Sequence, residues 1–263
     1  MFFFHAAMST LLSTLQANVL TLSLSRPERA NAFNLEMIQA LHEALTAAAA
    51  DAQVRVIVLT GSGRAFSAGQ DITEMKRGAA LSYRAHLQKT YNPLILEIRR
   101  VQKPVIAALN GACAGAALGI ALACDLRFAS EQAQLVVGFS GIGLVPDSAV
   151  SLLLPALIGL GRAEELYFSN APISAQQALE WGLVNRVFAA GRLMPETARY
   201  AGELSSGPVG AFGLAKQAFN QAVLEGLERA LKAEAELQEI AGTRPEHLEG
   251  VAAFLEKRKP RFR

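Results

Sequence analysis

Cysteine is scarce. Only Cys113 and Cys124 occur in 263 residues, eleven positions apart and outside any CxxC, which supports neither a disulfide framework nor a zinc site. A reducing cytoplasm is the expected setting. Charge of one sign is scarce too: 25 Lys plus Arg against 23 Asp plus Glu leave a net +2. The one dense basic run, Lys257, Arg258, Lys259, Arg261 and Arg263, ends the chain with Pro260 and Phe262 interleaved. That distribution argues against a nucleic-acid protein and leaves a small anionic ligand open. Val105–Cys124 has the length of a membrane span, but Asn110, Gly111, Gly115 and Gly119 interrupt it. A buried strand followed by a buried helix of about ten residues fits it better. Met1–Met8 lacks the positive start and apolar stretch of a secretory signal; Met8 offers a second start, and residues 1–8 are left out of the fold reading.

Common motifs are missing as well. No GxxxxGK(S/T) occurs, and no glycine-rich loop spells GxGxxG with an acidic residue at the expected distance, which disfavours phosphate-cradling NTPase and dinucleotide folds. Ala65-Phe-Ser-Ala-Gly69 lacks the first glycine of a nucleophile elbow. His5, His42, His86 and His247 have no supporting context and read as surface or packing residues.

What is present is core: 51% of residues are hydrophobic and 18% charged, and the length suits one large domain or a domain with an appendage. Asn18–Leu24 alternates with period two and stops at Arg26-Pro27, the pattern of a half-exposed strand. Asn34 caps an amphipathic helix reaching Ala50, with Met37, Ile38, Leu41 and Leu45 on one face. Arg55–Thr60 and Pro104–Leu109 read as strands buried on both faces, with one helix over Tyr83–Arg100 between them. Gly115–Cys124 reads as a short helix, and Leu126–Ala129 and Leu135–Val137 as two short strands. From about Ser148 to the end only helical patterns are found, over 148–157, 163–168, 174–180, 194–205, 208–224, 227–240 and 245–257. The expectation is an α/β core over residues 9–200 with a largely parallel sheet, followed by an all-α region over 201–263.

Three constellations bear chemistry. Gly61–Asp71 is a small-residue loop after a buried strand, able to bring backbone N–H groups close to a ligand. Asn110–Gly119 joins a strand to a helix whose first amides lack partners and attract an oxyanion or phosphate; the alternative readings are a plain turn for the first loop, the lesser of its two readings, and tight helix packing for the second. Phe139–Ser148 sets Asp147 immediately before a helix. An isolated Asp there is more often an N-cap. Flanked by Phe139, Leu144 and Val145, however, its carboxylate is open to desolvation and a raised pKa, which suits a base that must return its proton.

Taken in order, Arg26-Pro-Glu-Arg-Ala-Asn-Ala32, Ala65-Phe-Ser-Ala-Gly-Gln-Asp71, Lys103–Gly111, Ala123-Cys-Asp125, Trp181-Gly-Leu-Val184 and Phe254-Leu-Glu-Lys257 resemble the crotonase (enoyl-CoA hydratase/isomerase) superfamily from about Val19 to Phe262. The resemblance implies a spiral of ββα units with a C-terminal helical oligomerisation region, a trimer or dimer of trimers, and acyl-CoA thioester ligands with no separate cofactor and no metal. It implies an enolate held by two backbone amides, those of Gln70 and Ala116. Arg29, Ala30 and Asn31 with Ala68, Gly69, Asp71 and Ile72 are implied to wrap coenzyme A, and Gly115 and Phe139 complete the substrate-binding set. Lys257 is implied to meet coenzyme A phosphates, often across a subunit boundary.

The acids decide the chemistry. The paired glutamates of classical hydratases match Gly119 and Phe139, neither of which moves a proton, so hydration is disfavoured. Asp147 remains, and Tyr91-Asn-Pro-Leu94, Gly143–Ser148 and Leu153-Leu-Pro155 resemble the epoxyphenylacetyl-CoA isomerase branch. Ala149-Val150 and Ala156 depart from that branch's Gly-Gly and Arg, and Ala117 from a common glycine. In the chlorobenzoyl-CoA dehalogenase branch the partner histidine and tryptophan match Asn92 and Phe139, which argues against covalent dehalogenation. Asp71 and Asp125 read as structural, and Glu74 as a solvated helix residue as readily as one facing the acyl pocket. Met75, Leu81 and Tyr83 belong to the segment expected to set acyl specificity. The resulting expectation is an acyl-CoA isomerase with Asp147 as proton shuttle, acting by double-bond shift or ring-epoxide isomerisation. The alternatives are another acyl-CoA reaction of a hydratase-like enzyme and a non-catalytic acyl-CoA binding protein.

Overall fold

The computed structural model describes residues 10–73 and 82–262. Glu74, Met75 and Leu81 lie outside the described residues. A hairpin opens the fold: β1 (Leu11–Gln16) pairs antiparallel with β2 (Val19–Leu24). Ala17 and Asn18 between them both have positive φ, 48° and 63°, the two-residue turn whose twist matches the flanking strands. The first of these strands was not expected from the sequence, and Asn18 lies in the turn rather than in the strand. Next come α1 (Leu35–Ala50), β3 (Val56–Gly61) and β4 (Ala65–Ser67). The Asn34 side chain accepts from Met37 N–H at 2.9 Å and so caps α1 as its sequence position predicts.

The stretch expected as one helix over Tyr83–Arg100 is two, α2 (Tyr83–Lys89) and α3 (Tyr91–Arg100), broken at Thr90, where φ is −121° and ψ −82°. The chain continues through β5 (Val105–Leu109), β6 (Ala112–Ala114), α4 (Ala116–Ala123), β7 (Leu126–Ser130) and β8 (Gln134–Val136). Then follow α5 (Val150–Ile158), α6 (Leu160–Ser169), β9 (Ile173–Ser174), α7 (Ala175–Glu180), β10 (Arg186–Phe188) and four helices: α8 (Leu193–Ser205), α9 (Val209–Val223), α10 (Leu227–Gly242) and α11 (Pro245–Leu255). β9 and β10 correct the purely helical expectation for this half. At two and three residues, each is too short to show a period and takes its form from its neighbours, β8 and β7.

Two sheets result. β1-β2-β3-β5-β7-β10 form one, parallel from β2 onward, and β4-β6-β8-β9 form the other, parallel through β8. Three successive turns, β3-β4, β5-β6 and β7-β8, each give a strand to the first sheet, a short strand to the second, and then a helix or helical segment. This is the ββα spiral. β3 shows why it needs an apolar run: all six of its residues are buried, with Ile57 and Leu59 packing into the main core and Val56 and Val58 into a second cluster under α8. Every residue of α4 is buried as well, which places the start of that helix in the interior rather than in water. Asp125 is structural, pairing with Arg99 at 3.0 Å and Lys216 at 2.9 Å and accepting from Val105 N–H. Among the described residues no helix is long and apolar enough to cross a membrane.

Candidate active site

The spiral brings the three sequence constellations to one cavity of about 1030 Å³. On one side is the loop leaving β4. Phe33 N–H donates to Gly69 O at 2.7 Å and Asp71 N–H to Phe33 O at 2.9 Å, a parallel bridge that turns the intervening Gln70 N–H away from Phe33 and leaves it without a protein acceptor among the described residues. On the other side Gly115, with φ 58° and ψ −130°, leads into α4. Ala116 is the first residue of that helix, and its N–H likewise has no acceptor among the described residues. The two loops touch: a Cβ on Gly69 would lie 2.7 Å from Ala114 O and 3.5 Å from Ala116 N. A glycine at 69, with φ 86°, is what lets the two free amides approach each other.

The Arg26–Ala32 segment braces this arrangement. Arg26 donates to Ala32 O at 2.6 Å and pairs with Asp71 at 3.0 Å. Asn31, fully buried with φ 54°, accepts from Arg26 N–H and donates to Ser62 O and Ala65 O. Ala30 O accepts from Ala68 N–H, and Ser67 Oγ links Asn31 O to Gly69 N–H. Asn31 and Gly69 are therefore buried behind the wall and Ala30 is exposed off it, whereas Arg29, Ala68, Gln70, Asp71, Ile72, Gly115, Ala116, Phe139 and Asp147 line it. Lys257 is exposed and off the wall of its own chain; Arg258 and Lys259 line the cavity instead.

Two carboxylates line the cavity among the described residues, and their surroundings differ. Burial raises the Asp71 pKa, but hydrogen bonds from Thr73 and Arg26 outweigh it, and the net shift is downward. Asp147, only 7% exposed, is raised to about 6 by burial; the hydrogen bonds from Ser148 Oγ and Gln238 Nε2, each 2.8 Å, offset only part of that rise. No basic side chain bonds to it among the described residues. Asp147 is not the N-cap of α5. Ala149 holds that place, and Ser148 and Ala149 both take left-handed conformations, with φ 56° and 65°. Gly119 permits this turn, because a Cβ there would come within 2.5 Å of Ser148 O.

Sequence reasoning missed Glu234 and Gln238 of α10. Gln238 Nε2 donates to Asp147 and to Val145 O, and its Oε1 accepts from Val145 N–H. Glu234 lies behind the cavity wall and accepts from Ala149 N–H and Ser151 N–H. The available signal was periodicity: Leu227, Leu231, Glu234, Ala235, Gln238 and Ala241 fall on one buried helical stripe, so two polar residues interrupt an apolar face. Of the described histidines, His86 departs from the surface-or-packing expectation, whereas His247 is a packing residue. His86 lines the cavity with its Nε2 3.2 Å from Gln70 Oε1, and Tyr91 OH donates to the same oxygen at 2.7 Å. Burial lowers the His86 pKa, which favours the neutral ring, donating from Nε2. His247 is buried between Tyr83 OH, 2.5 Å from its Nε2, and Ile142 O, 2.7 Å from its Nδ1. A proton on Nδ1 satisfies both contacts.

The chain that builds this cavity has relatives among known proteins. The enoyl-CoA hydratase/isomerase family profile fits residues 14–263. The chain belongs to that family. It is 39% identical over 97% of its length to the 1,2-epoxyphenylacetyl-CoA isomerase of Escherichia coli, covering 98% of that protein. A probable enoyl-CoA hydratase of Rhodobacter capsulatus is also 39% identical, over 92% of this chain and 93% of the relative. In three dimensions the chain is similar to the crystal structure of an enoyl-CoA hydratase from Mycobacterium avium subsp. paratuberculosis, with a TM-score of 0.88 and 34% identity over 97% of this chain and 98% of that one. The protein is thus an enzyme of the hydratase/isomerase family, whose members' names span both chemistries.

Proposed function

We propose that this family member is an acyl-CoA isomerase. One observation carries the reading: of the two carboxylates on the described cavity wall, Asp71 is committed to Arg26, and Asp147 alone is buried without a base, beyond two unpaired backbone amides. The thioester carbonyl oxygen accepts from Gln70 N–H and Ala116 N–H. Asp147 removes a C2 proton, and the electron pair of that C–H bond moves into the carbonyl to form an enolate stabilised by both amides. For a β,γ-unsaturated substrate, the same carboxylic acid returns the proton at C4 as the double bond moves to the α,β position. The other substrate type carries a ring epoxide on the carbon attached to C2, so that loss of the C2 proton opens the epoxide C–O bond and the oxygen stays in the isomerised product. The step needs no water and no cofactor, coenzyme A being part of the substrate. A hydratase reading requires a second acid, and the Ser148 turn occupies the space a side chain at 119 would need.

Arg29 and Lys259 supply positive charge along the cavity for the coenzyme A phosphates, while Arg258 on the same wall is paired with Glu249 and Glu256. Lys257, off this wall, takes part only from a neighbouring subunit, as in a trimer. The test is to incubate the enzyme separately with a 3-enoyl-CoA, a 2-enoyl-CoA and an epoxidised arylacetyl-CoA and follow the products by mass spectrometry. Isomers of unchanged mass support the reading; an 18-dalton gain from the 2-enoyl ester as the main reaction overturns it in favour of hydration.

A further inference from the structure

Behind Asp147 lies a second buried acid that does not reach the cavity. Glu234 is 3% exposed, and all of its polar contacts go to the start of α5. Its Oε2 accepts from Ala149 N–H at 2.8 Å, and its Oε1 from Ser151 N–H at 2.9 Å and Ser151 Oγ–H at 2.5 Å. These donors belong to the turn that follows Asp147. That turn is held in an unfavourable form, because two consecutive non-glycine residues, Ser148 and Ala149, are left-handed, a conformation that persists only where the surroundings over-determine it. From the other side, α4 presses Ser148 through the missing side chain of Gly119. One helical turn further along α10, Gln238 bonds the Asp147 carboxylate itself.

We propose that Glu234 is a positioning residue for proton transfer: by accepting all three hydrogen bonds it fixes the Ser148–Ala149 turn and thereby aims the Asp147 carboxyl into the cavity. The inference rests on the isomerase reading above. Glu234 touches neither cavity nor substrate, so it acts only through the turn and through its charge. Among the described residues no basic group bonds to it. α4 and α5 carry no titratable residue. On α2, the Arg84 guanidinium bonds Glu236 and its backbone N–H donates to Glu239, Tyr83 meets His247 of α11, and His86 meets Gln70. On α3, Arg99 bonds Asp125 and Asn220, and Arg100 bonds Glu228 of α10. Burial raises the Glu234 pKa to about 7, with Asp147 adding to the rise, so the two acids ionise one after the other near neutrality.

The test compares wild type, Glu234→Gln and Ser151→Ala, following exchange of C2 protons of an acyl-CoA in deuterated water, with kcat and KM measured from pH 5 to 9. The Gln amide still accepts from Ser151 but presents its NH2 to Ala149 N–H, so one bond becomes a donor–donor contact. We expect E234Q to lose about tenfold or more in kcat with KM little changed, since substrate contacts remain. It should also lose the second inflection near pH 7 that Glu234 gives the wild-type profile. Ser151→Ala keeps the charge and two of the bonds. It should retain both inflections and lose only about two- to fivefold in kcat, and it keeps the test decisive if E234Q does not fold. Wild-type kcat in E234Q, or an unchanged kcat in S151A when E234Q is unfolded, overturns the inference while leaving the isomerase reading intact. Absence of C2 exchange in the wild type overturns both.

Discussion

Asp71 and Asp147 sit on the walls of one cavity, at 5% and 7% exposure, and yet they are opposite kinds of acid. Asp71 has a guanidinium at 3.0 Å and two bonds from Thr73; its proton leaves early and its charge is used to hold the β4 loop. Asp147 has neutral donors only, a hydroxyl and an amide; it keeps its proton to about pH 6. Asp147 is the more deeply desolvated, with two neutral donors against that burial, whereas Asp71 is held down by hydrogen bonds from Thr73 and Arg26, to which the guanidinium charge adds. A buried carboxylate with a base is a clamp, whereas one without a base is poised to exchange a proton.

The comparison can be broken at several points. The largest expected effect is from Asp147→Asn, which keeps the shape and the bond from Gln238, turns the Ser148 hydroxyl from donor to acceptor, and removes the proton acceptor. Turnover should fall by about 10²–10⁴-fold, while acyl-CoA affinity by calorimetry stays within a few fold. Gly69→Ala attacks the amides instead: its methyl would meet Ala114 O at 2.7 Å in a left-handed backbone. Separating the Gln70 and Ala116 donors should cost about 10²-fold in kcat, measured on protein whose circular dichroism is unchanged.

Arg26→Met turns the clamp into an uncompensated acid. Asp71 then loses its base, its pKa should rise as that of Asp147 does, and the fold should lose about 3 kcal/mol in denaturant titration at pH 7. The smallest effect is in the pH dependence of stability. The Asp147 pKa is raised in the folded protein, so the folded state binds this proton more tightly. Stability contributed by that group is full below its ordinary value of 3.8 and is lost as pH rises to about 6. Asp71 is lowered and acts oppositely, its contribution vanishing as the pH falls through its folded value. Asp147→Asn should therefore be more stable than wild type at pH 8 by on the order of 2 kcal/mol, with the gap closing by pH 4.

Much of this site was legible in the sequence because its parts are local. Glycines at 69 and 115 mark positive-φ turns that bring two loops together at the cavity, and Asp147 follows an apolar run. The rest depends on contacts between distant residues. Arg26 reaches Asp71 across 45 positions and Gln238 reaches Asp147 across 91; nothing near either residue names its partner. Glu234 is one of several glutamates on α10, and only the three-dimensional stripe separates it from the solvated ones. The single helix expected over Tyr83–Arg100 breaks at Thr90 although the apolar spacing continues through it, because spacing reports which face is buried and not whether the axis bends. β1 was missed for a related reason: all but one of its residues are exposed, so it carries no alternation.

The central claim is that Asp147 takes a proton from C2 of a thioester. The most direct test is deuterium uptake at C2 of an acyl-CoA by wild type and Asp147→Asn across pH 4.5 to 8. The account predicts uptake that rises through about pH 6 in wild type and is absent from the variant at every pH. Uptake of equal rate in both proteins would contradict it.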